Sequence, residues 1–274
     1  MRRGRDRRGS TPVNPLKISA GVRHVAKVAD GTEVHFAVYG DRRRPAVFMG
    51  PHFYASRSAH DESFTDAWVD CLQREFLLIL ADYPRGIGRT GNPQGPAYNP
   101  DVAAAEYECI ADTIGLGRFG WLGYSFGGAM GIQLACRTNR IAALAVGGFP
   151  PMNAPFQRLI DITAEMAKAG ATLPQYIEPG VLGSTIGFYT PLLNWSERAE
   201  ISRLSMPRLV FMGDRDGTRE DERALPLADS LMAVEDELRG LGWQVRWLPG
   251  EDHSSAIRPE ASLPLVQAFF RAAL

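Results

Sequence analysis

One segment constrains this chain more than any other: Phe119-Gly120-Trp121-Leu122 runs straight into Gly123-Tyr124-Ser125-Phe126-Gly127. An apolar run that fits a strand meets a Gly-x-Ser-x-Gly turn, and Met130 and Leu134 then recur at helical spacing. A serine hydroxyl serves as a nucleophile only when it projects clear of its own backbone. A sharp strand-to-helix turn achieves this, but it forces the residues two before and two after the serine close together. Glycine alone fits there without a side-chain clash, and it tolerates the unusual dihedrals. The helix that follows aims its N-terminal N–H groups at the serine, where they favour developing negative charge. A glycine-rich turn before a helix also serves as a plain turn, so the surrounding sequence decides between the two readings.

That surrounding sequence alternates strand and helix. Residues 22–28 alternate in polarity and meet Asp30-Gly31, a hairpin signal, with residues 34–39 as the return strand. Residues 45–49, 76–80 and 141–146 are short apolar runs of the kind buried on both faces of a parallel sheet. Asn99-Pro100-Asp101 predicts a helix start, Tyr107, Ile110 and Ile114 follow at helical spacing, and Gly115 fits a stop. Later strands are expected at 208–212 and 244–248, with helices over 225–238 and 263–274. The expected class is α/β, a mostly parallel twisted sheet with an N-terminal antiparallel hairpin and helices on both faces. Between about residues 150 and 205 no strand candidate exists. Phe156, Leu159, Ile160, Ile162 and Met166 look helical there, and Ser196-Glu197 opens a second helix. This predicts a small helical cap, inserted after the sixth strand, above the strand ends where open α/β sheets bind ligands.

Composition narrows the function. At 274 residues and 45% hydrophobic, the chain supports one core, read as a single domain over 19–274. A net charge of −1 gives no global attraction to nucleic acid or to an anionic membrane, and no run of 18 apolar residues exists. The start, Met1-Arg2-Arg3-Gly4-Arg5-Asp6-Arg7-Arg8, lacks the apolar region of a secretory signal. With no aromatic residue interleaved, residues 1–18 read as a disordered tail. Cys71, Cys109 and Cys136 are odd in number and far apart, which fits reduced thiols in a cytoplasmic protein. No dinucleotide, phosphate-loop or zinc-protease motif is present, so no cofactor and no metal are expected. Nothing in the sequence sets the oligomeric state.

From about residue 22 to the C-terminus, several segments in order resemble the α/β-hydrolase fold family. Gly31-Thr32-Glu33-Val34-His35 resembles its opening hairpin, and Asp82-Tyr83-Pro84-Arg85-Gly86-Ile87-Gly88-Arg89-Thr90 its Asp-x-x-Gly-x-Gly-x-Ser/Thr loop. The serine turn matches its nucleophile elbow, and Pro207-Arg208-Leu209-Val210-Phe211-Met212-Gly213 resembles its late strand. The resemblance implies a triad of Ser125, an acid and His253, which follows the last strand in Gly250-Glu251-Asp252-His253. The other histidines, His24, His35, His52 and His60, all precede the serine. The family's spacing after Gly213 selects Asp216 as the acid, with Asp214 as competitor. Two backbone N–H groups would form the oxyanion hole. One is that of Phe126. The other lies in Gly50-Pro51-His52-Phe53, a departure from the family's His-Gly-x. Pro51 has no N–H, which leaves His52 as the aligned donor and Phe53 as its neighbour. Phe53, Tyr124, Phe149, Phe156, Phe188 and Trp195 are the candidate walls of a pocket for an apolar acyl or aromatic small-molecule substrate.

The activity so implied is a cofactor-independent serine hydrolase, acting on a carboxylic ester, thioester or lactone through an acyl-enzyme on Ser125. Two alternatives stay open. The same triad performs C–C bond hydrolysis, lyase or other non-ester chemistry in some relatives, and the unusual 50–53 loop favours that. Other members of the fold bind ligands without turnover.

Overall fold

Asp30 and Gly31 turn the chain between β1 (Val22–Lys27) and β2 (Glu33–Tyr39), which pair antiparallel as expected. The Thr32 N–H donates to Asp30 Oδ1, and Gly31 takes the left-handed φ of +88° that the turn requires. The structure is a computed structural model that describes residues 21–56, 62–171, 176, 178–217 and 225–274. The arginine-rich residues 1–18 and His60 lie outside the described residues.

Along the chain follow β3 (Ala46–Met49), α1 (Glu62–Leu72), β4 (Leu77–Ala81), α2 (Pro100–Thr113), β5 (Phe119–Tyr124), α3 (Phe126–Ala135) and β6 (Ile141–Gly147). Three helices, α4 (Phe156–Lys168), α5 (Val181–Tyr189) and α6 (Glu197–Ser202), then interrupt the alternation. The chain ends with β7 (Arg208–Gly213), α7 (Leu227–Met232), α8 (Glu235–Gly240), β8 (Trp243–Leu248) and α9 (Pro259–Ala273). Asn99 starts α2 as its sequence implies: its side chain accepts from the N–H groups of Asp101 and Val102 at 2.9 and 3.1 Å.

The sheet order is β1-β2-β4-β3-β5-β6-β7-β8. β2 meets β4 antiparallel, and every pairing from β4 to β8 is parallel. After β3 the chain builds β4 to one side and then crosses to build β5 on the other. The C-terminal ends of β3 and β5 therefore flank the crevice where this topology places ligands. Each face of the sheet carries its own core. On one, Tyr107, Ile110, Met130, Leu134, Leu231 and Leu238 from α2, α3, α7 and α8 cover Phe48, Trp121 and Leu144. On the other, Trp68 and Leu72 of α1 and Val266 and Phe270 of α9 cover Val47, Leu78, Leu122 and Leu209.

Outside the 150–205 stretch, three elements differ from expectation. Helix α1 was not anticipated, although Phe64, Trp68 and Leu72 recur every four residues. The single helix expected over 225–238 is two, α7 and α8. Leu227, Leu231, Val234 and Leu238 keep a helical spacing across the break, which hides it, while Glu235, Asp236 and Glu237 start the second helix where acidic residues suit its N-terminus. Helix α9 begins at Pro259 rather than 263. Pro264 sits inside it on an exposed face, where the carbonyl it leaves unpaired meets water. Among the described residues no helix is long and apolar enough to cross a membrane.

Candidate active site

Ser125 stands between β5 and α3 at φ +50° and ψ −118°, a conformation that non-glycine residues avoid. The surroundings hold it there. The Ser125 N–H donates to Gly147 O of β6 at 2.9 Å, and its carbonyl accepts the Ala129 N–H at 3.0 Å. The flanking glycines are obligatory for the reason anticipated from their spacing. A Cβ on Gly123 would lie 2.0 Å from Gly127 O, and one on Gly127 would lie 2.5 Å from Pro51 O. Trp121 Nε1 donates to Gly127 O at 3.0 Å and ties the strand to the first turn of the helix. The Phe126 N–H, first in α3, has no acceptor within the helix, which leaves it the candidate oxyanion donor.

The candidate acid and base come from the ends of β7 and β8. Asp216 follows β7, and His253 follows β8. His253 Nδ1 lies 3.0 and 2.8 Å from the two Asp216 carboxylate oxygens. Paired this way, Nδ1 carries the hydrogen and Nε2 is left to act as a base. Asp216 is 2% exposed, so the His253 ring, not water, is its hydrogen-bond partner. Asp214 is exposed and turns the other way, accepting the Gly250 N–H at 2.8 Å. The geometry pairs His253 with Asp216 alone. Asp252 shapes the turn that presents His253: its carboxylate accepts the Ser254 and Ser255 N–H groups, and these bonds hold it below the usual carboxylate range.

Tyr124 joins the two halves of this arrangement. Its hydroxyl donates to the His253 carbonyl oxygen at 2.7 Å, and the two rings lie 5.2 Å apart. Burial pushes the phenol above its ordinary range, so it remains a donor. The residue before Ser125 thus fixes the loop that carries His253.

On the other side of Ser125, residues 50–53 form a tight turn. The Phe53 N–H donates to Gly50 O at 3.0 Å, which removes it as an oxyanion donor and leaves His52 as the loop's candidate. The Gly50 N–H donates to Leu122 O at 2.8 Å, so the turn extends the β3–β5 pairing and abuts α3.

The aromatic candidates separate. A cavity of about 320 Å³ beside the base is lined by His52, Phe64, Tyr124, His253, Ser254, Ile257 and Arg258. Of the expected pocket residues it contains only Tyr124. Phe53 is buried in the core instead, stacked on Phe64 and edge-on to Trp68. Phe149, Phe156 and Phe188 are buried where the cap meets its base, and Trp195 packs half-buried against the same core. Phe188 and Tyr189 of α5 stand edge-on to Phe126, 5.2 and 5.6 Å away, so the cap rests on the residue next to the nucleophile. Sequence reading missed Phe64, Ser254, Ile257 and Arg258. The last three lie in the turn that follows His253, within reach of it by chain length alone. Among the described residues no cluster of three His, Cys, Asp or Glu side chains is arranged to hold a metal.

Comparison with known proteins supports the same frame. A family model described as alpha/beta hydrolase fold matches residues 58–190. No curated protein matches the chain. Among solved structures, a hydrolase from Pseudomonas aeruginosa PA01 is 18% identical, with a TM-score of 0.64 over 93% of this chain and 98% of that one. The enol-lactonase from Burkholderia xenovorans LB400 is 22% identical, with a TM-score of 0.65 over 90% of this chain and 100% of its own. An epoxide hydrolase from Vigna radiata is 14% identical, with a TM-score of 0.65 over 93% of this chain and 99% of its own. With the eight-stranded sheet, the opening hairpin and the turn at Ser125, these matches show that the chain has the α/β-hydrolase fold.

Proposed function

We propose that this α/β-fold hydrolase is a cofactor-independent serine hydrolase of carboxylic esters, thioesters or lactones, working in the cytoplasm. The observation that carries the reading is the His253–Asp216 pair, with a 2.8 Å bond, joined through Tyr124 to a serine held at a strained elbow. Ser125 Oγ attacks the acyl carbon while His253 Nε2 takes its proton. Asp216 holds the imidazole tautomer and stabilises the imidazolium. The oxyanion forms against the N–H groups of Phe126 and His52. On collapse the bond to the leaving oxygen or sulfur breaks, and His253 returns the proton to it. Water, deprotonated by the same imidazole, then releases the acid from Ser125.

Two further observations support this. Burial pushes the Cys136 thiol up to about 12 and raises that of Cys109, so neither offers a thiolate to compete with Ser125. Serine at the elbow also speaks against epoxide opening, which this fold performs with an aspartate nucleophile. The test is turnover of an ester, thioester and lactone panel. Ser125→Ala or His253→Ala is expected to lower kcat by a factor of about 10³–10⁶. Near-wild-type turnover by either variant sinks the mechanism.

A further inference from the structure

The cavity beside His253 has a chemistry that the hydrolytic steps leave unused. Of its seven lining residues among those described, Arg258 carries a positive charge and His52 brings a second imidazole, and none of the seven is a carboxylate. Phe64 and Ile257 supply apolar walls. Two described acids close by in the chain are directed elsewhere: Asp216 to the His253 ring, and Asp252 to the backbone of Ser254 and Ser255, although Asp252 also feels the charge of Arg258.

His52 is the unusual component. The hydrogen bond from Phe53 back to Gly50, with Pro51 second in the turn and φ +89° at His52, makes residues 50–53 a type II turn. The third position of such a turn is ordinarily glycine, because a positive φ strains any residue with a Cβ. Glycine would offer the same backbone N–H to an oxyanion without the strain. The imidazole is therefore what this position gains from carrying histidine, and it is delivered into the cavity, edge-on to Tyr124 at 6.3 Å.

We propose that this cavity receives a carboxylate carried by the substrate, with the Arg258 guanidinium and the His52 imidazole as its partners. The proposal rests on the serine-hydrolase reading above and narrows it to compact esters or lactones that bear a free acid. A volume of about 320 Å³ suits a short aliphatic or single-ring body lying along Phe64 and Ile257.

The test compares monomethyl glutarate, an anion, with dimethyl glutarate, its neutral counterpart, in the wild type, His52→Gly and Arg258→Gln. The ratio of kcat/KM within each protein cancels effects common to both esters. The wild type is expected to favour the anion by about tenfold or more, and Arg258→Gln to lose about tenfold of that preference, mainly through KM. His52→Gly is expected to lose part of the preference while its Tm holds or rises, since the substitution relieves the positive φ. A wild-type ratio at or below one, or a ratio that neither substitution moves, overturns the proposal. If neither ester shows turnover dependent on Ser125, the hydrolase reading fails on its own account, and titration with glutarate decides the site. Saturable binding weakened about tenfold by Arg258→Gln upholds it, and no binding removes it.

Discussion

Tyr124 illustrates how little of one side chain's role its local sequence states. Its position in Gly-x-Ser-x-Gly puts it beside the nucleophile, and it does reach the cavity. Its hydroxyl, however, is committed to the backbone of His253, 129 residues away in sequence, and no local pattern encodes that partner. Tyr124→Phe removes the bond without removing the ring. The expected result is a kcat about tenfold lower with KM within about twofold, because the base is less well held while the cavity keeps its wall. Steady-state kinetics alongside the His253 imidazole resonances would show it. A fall confined to Tm would reduce Tyr124 to packing. The choice between two aspartates also belongs to this scale, and hydrogen-bond geometry favours Asp216. Asp216→Asn is expected to lower kcat by about 10⁴ and Asp214→Asn to leave it within about twofold, since Asp214 serves only the Gly250 N–H. Equal effects in the two variants would contradict the assignment.

Among the elements, the β1–β2 hairpin, the apolar strands and the Asn99 helix start were legible because each announces itself within a few residues. Helix α5 was not, since Gly183 and Gly187 lower its helical propensity. Gly187 is there for packing: a Cβ would lie 2.6 Å from the Tyr98 carbonyl oxygen, so glycine lets α5 settle against residues 95–98. Arg85 ties other elements together. It is 3% exposed and binds Asp30 Oδ2 at 2.6 Å and Thr32 Oγ1 at 3.1 Å in the hairpin turn, and Glu106 of α2 as well. Arg85→Leu leaves the buried Glu106 charge without its partner and is expected to cost about 3–5 kcal/mol in urea unfolding, much of it recovered by adding Glu106→Leu. Acid reads the same junction. The Arg85 hydrogen bond lowers the Asp30 carboxyl from 3.8 to about 2, so its contribution is complete above pH 3.8 and is lost as pH falls through about 2. Asp30 is half-exposed, so the loss is small. Asp30→Asn is expected to flatten the stability curve across that interval, and an unchanged slope would show that the pair contributes nothing.

For the whole molecule, strand order does what no local motif states. β3, β5, β7 and β8 end at one edge of the sheet, and their following loops bring residues 50–53, Ser125, Asp216 and His253 to one crevice. That grouping was expected from the resemblance of the ordered motifs to the α/β-hydrolase fold, since periodicity gives the strands and not their meeting point. Neither was enough to say what lines the crevice, because lining depends on which side chains the two cores consume. Phe53 was taken by the α1 core, the cap aromatics by the seam above α3, and the free wall came from the turn after His253. The central claim, an activated serine beside a working oxyanion hole, is tested most directly by intact-mass spectrometry after exposure to a fluorophosphonate, with Ser125→Ala in parallel. The account predicts one adduct, located on Ser125 and absent from the variant. No adduct on the folded wild-type protein, or one that persists in Ser125→Ala, would contradict it.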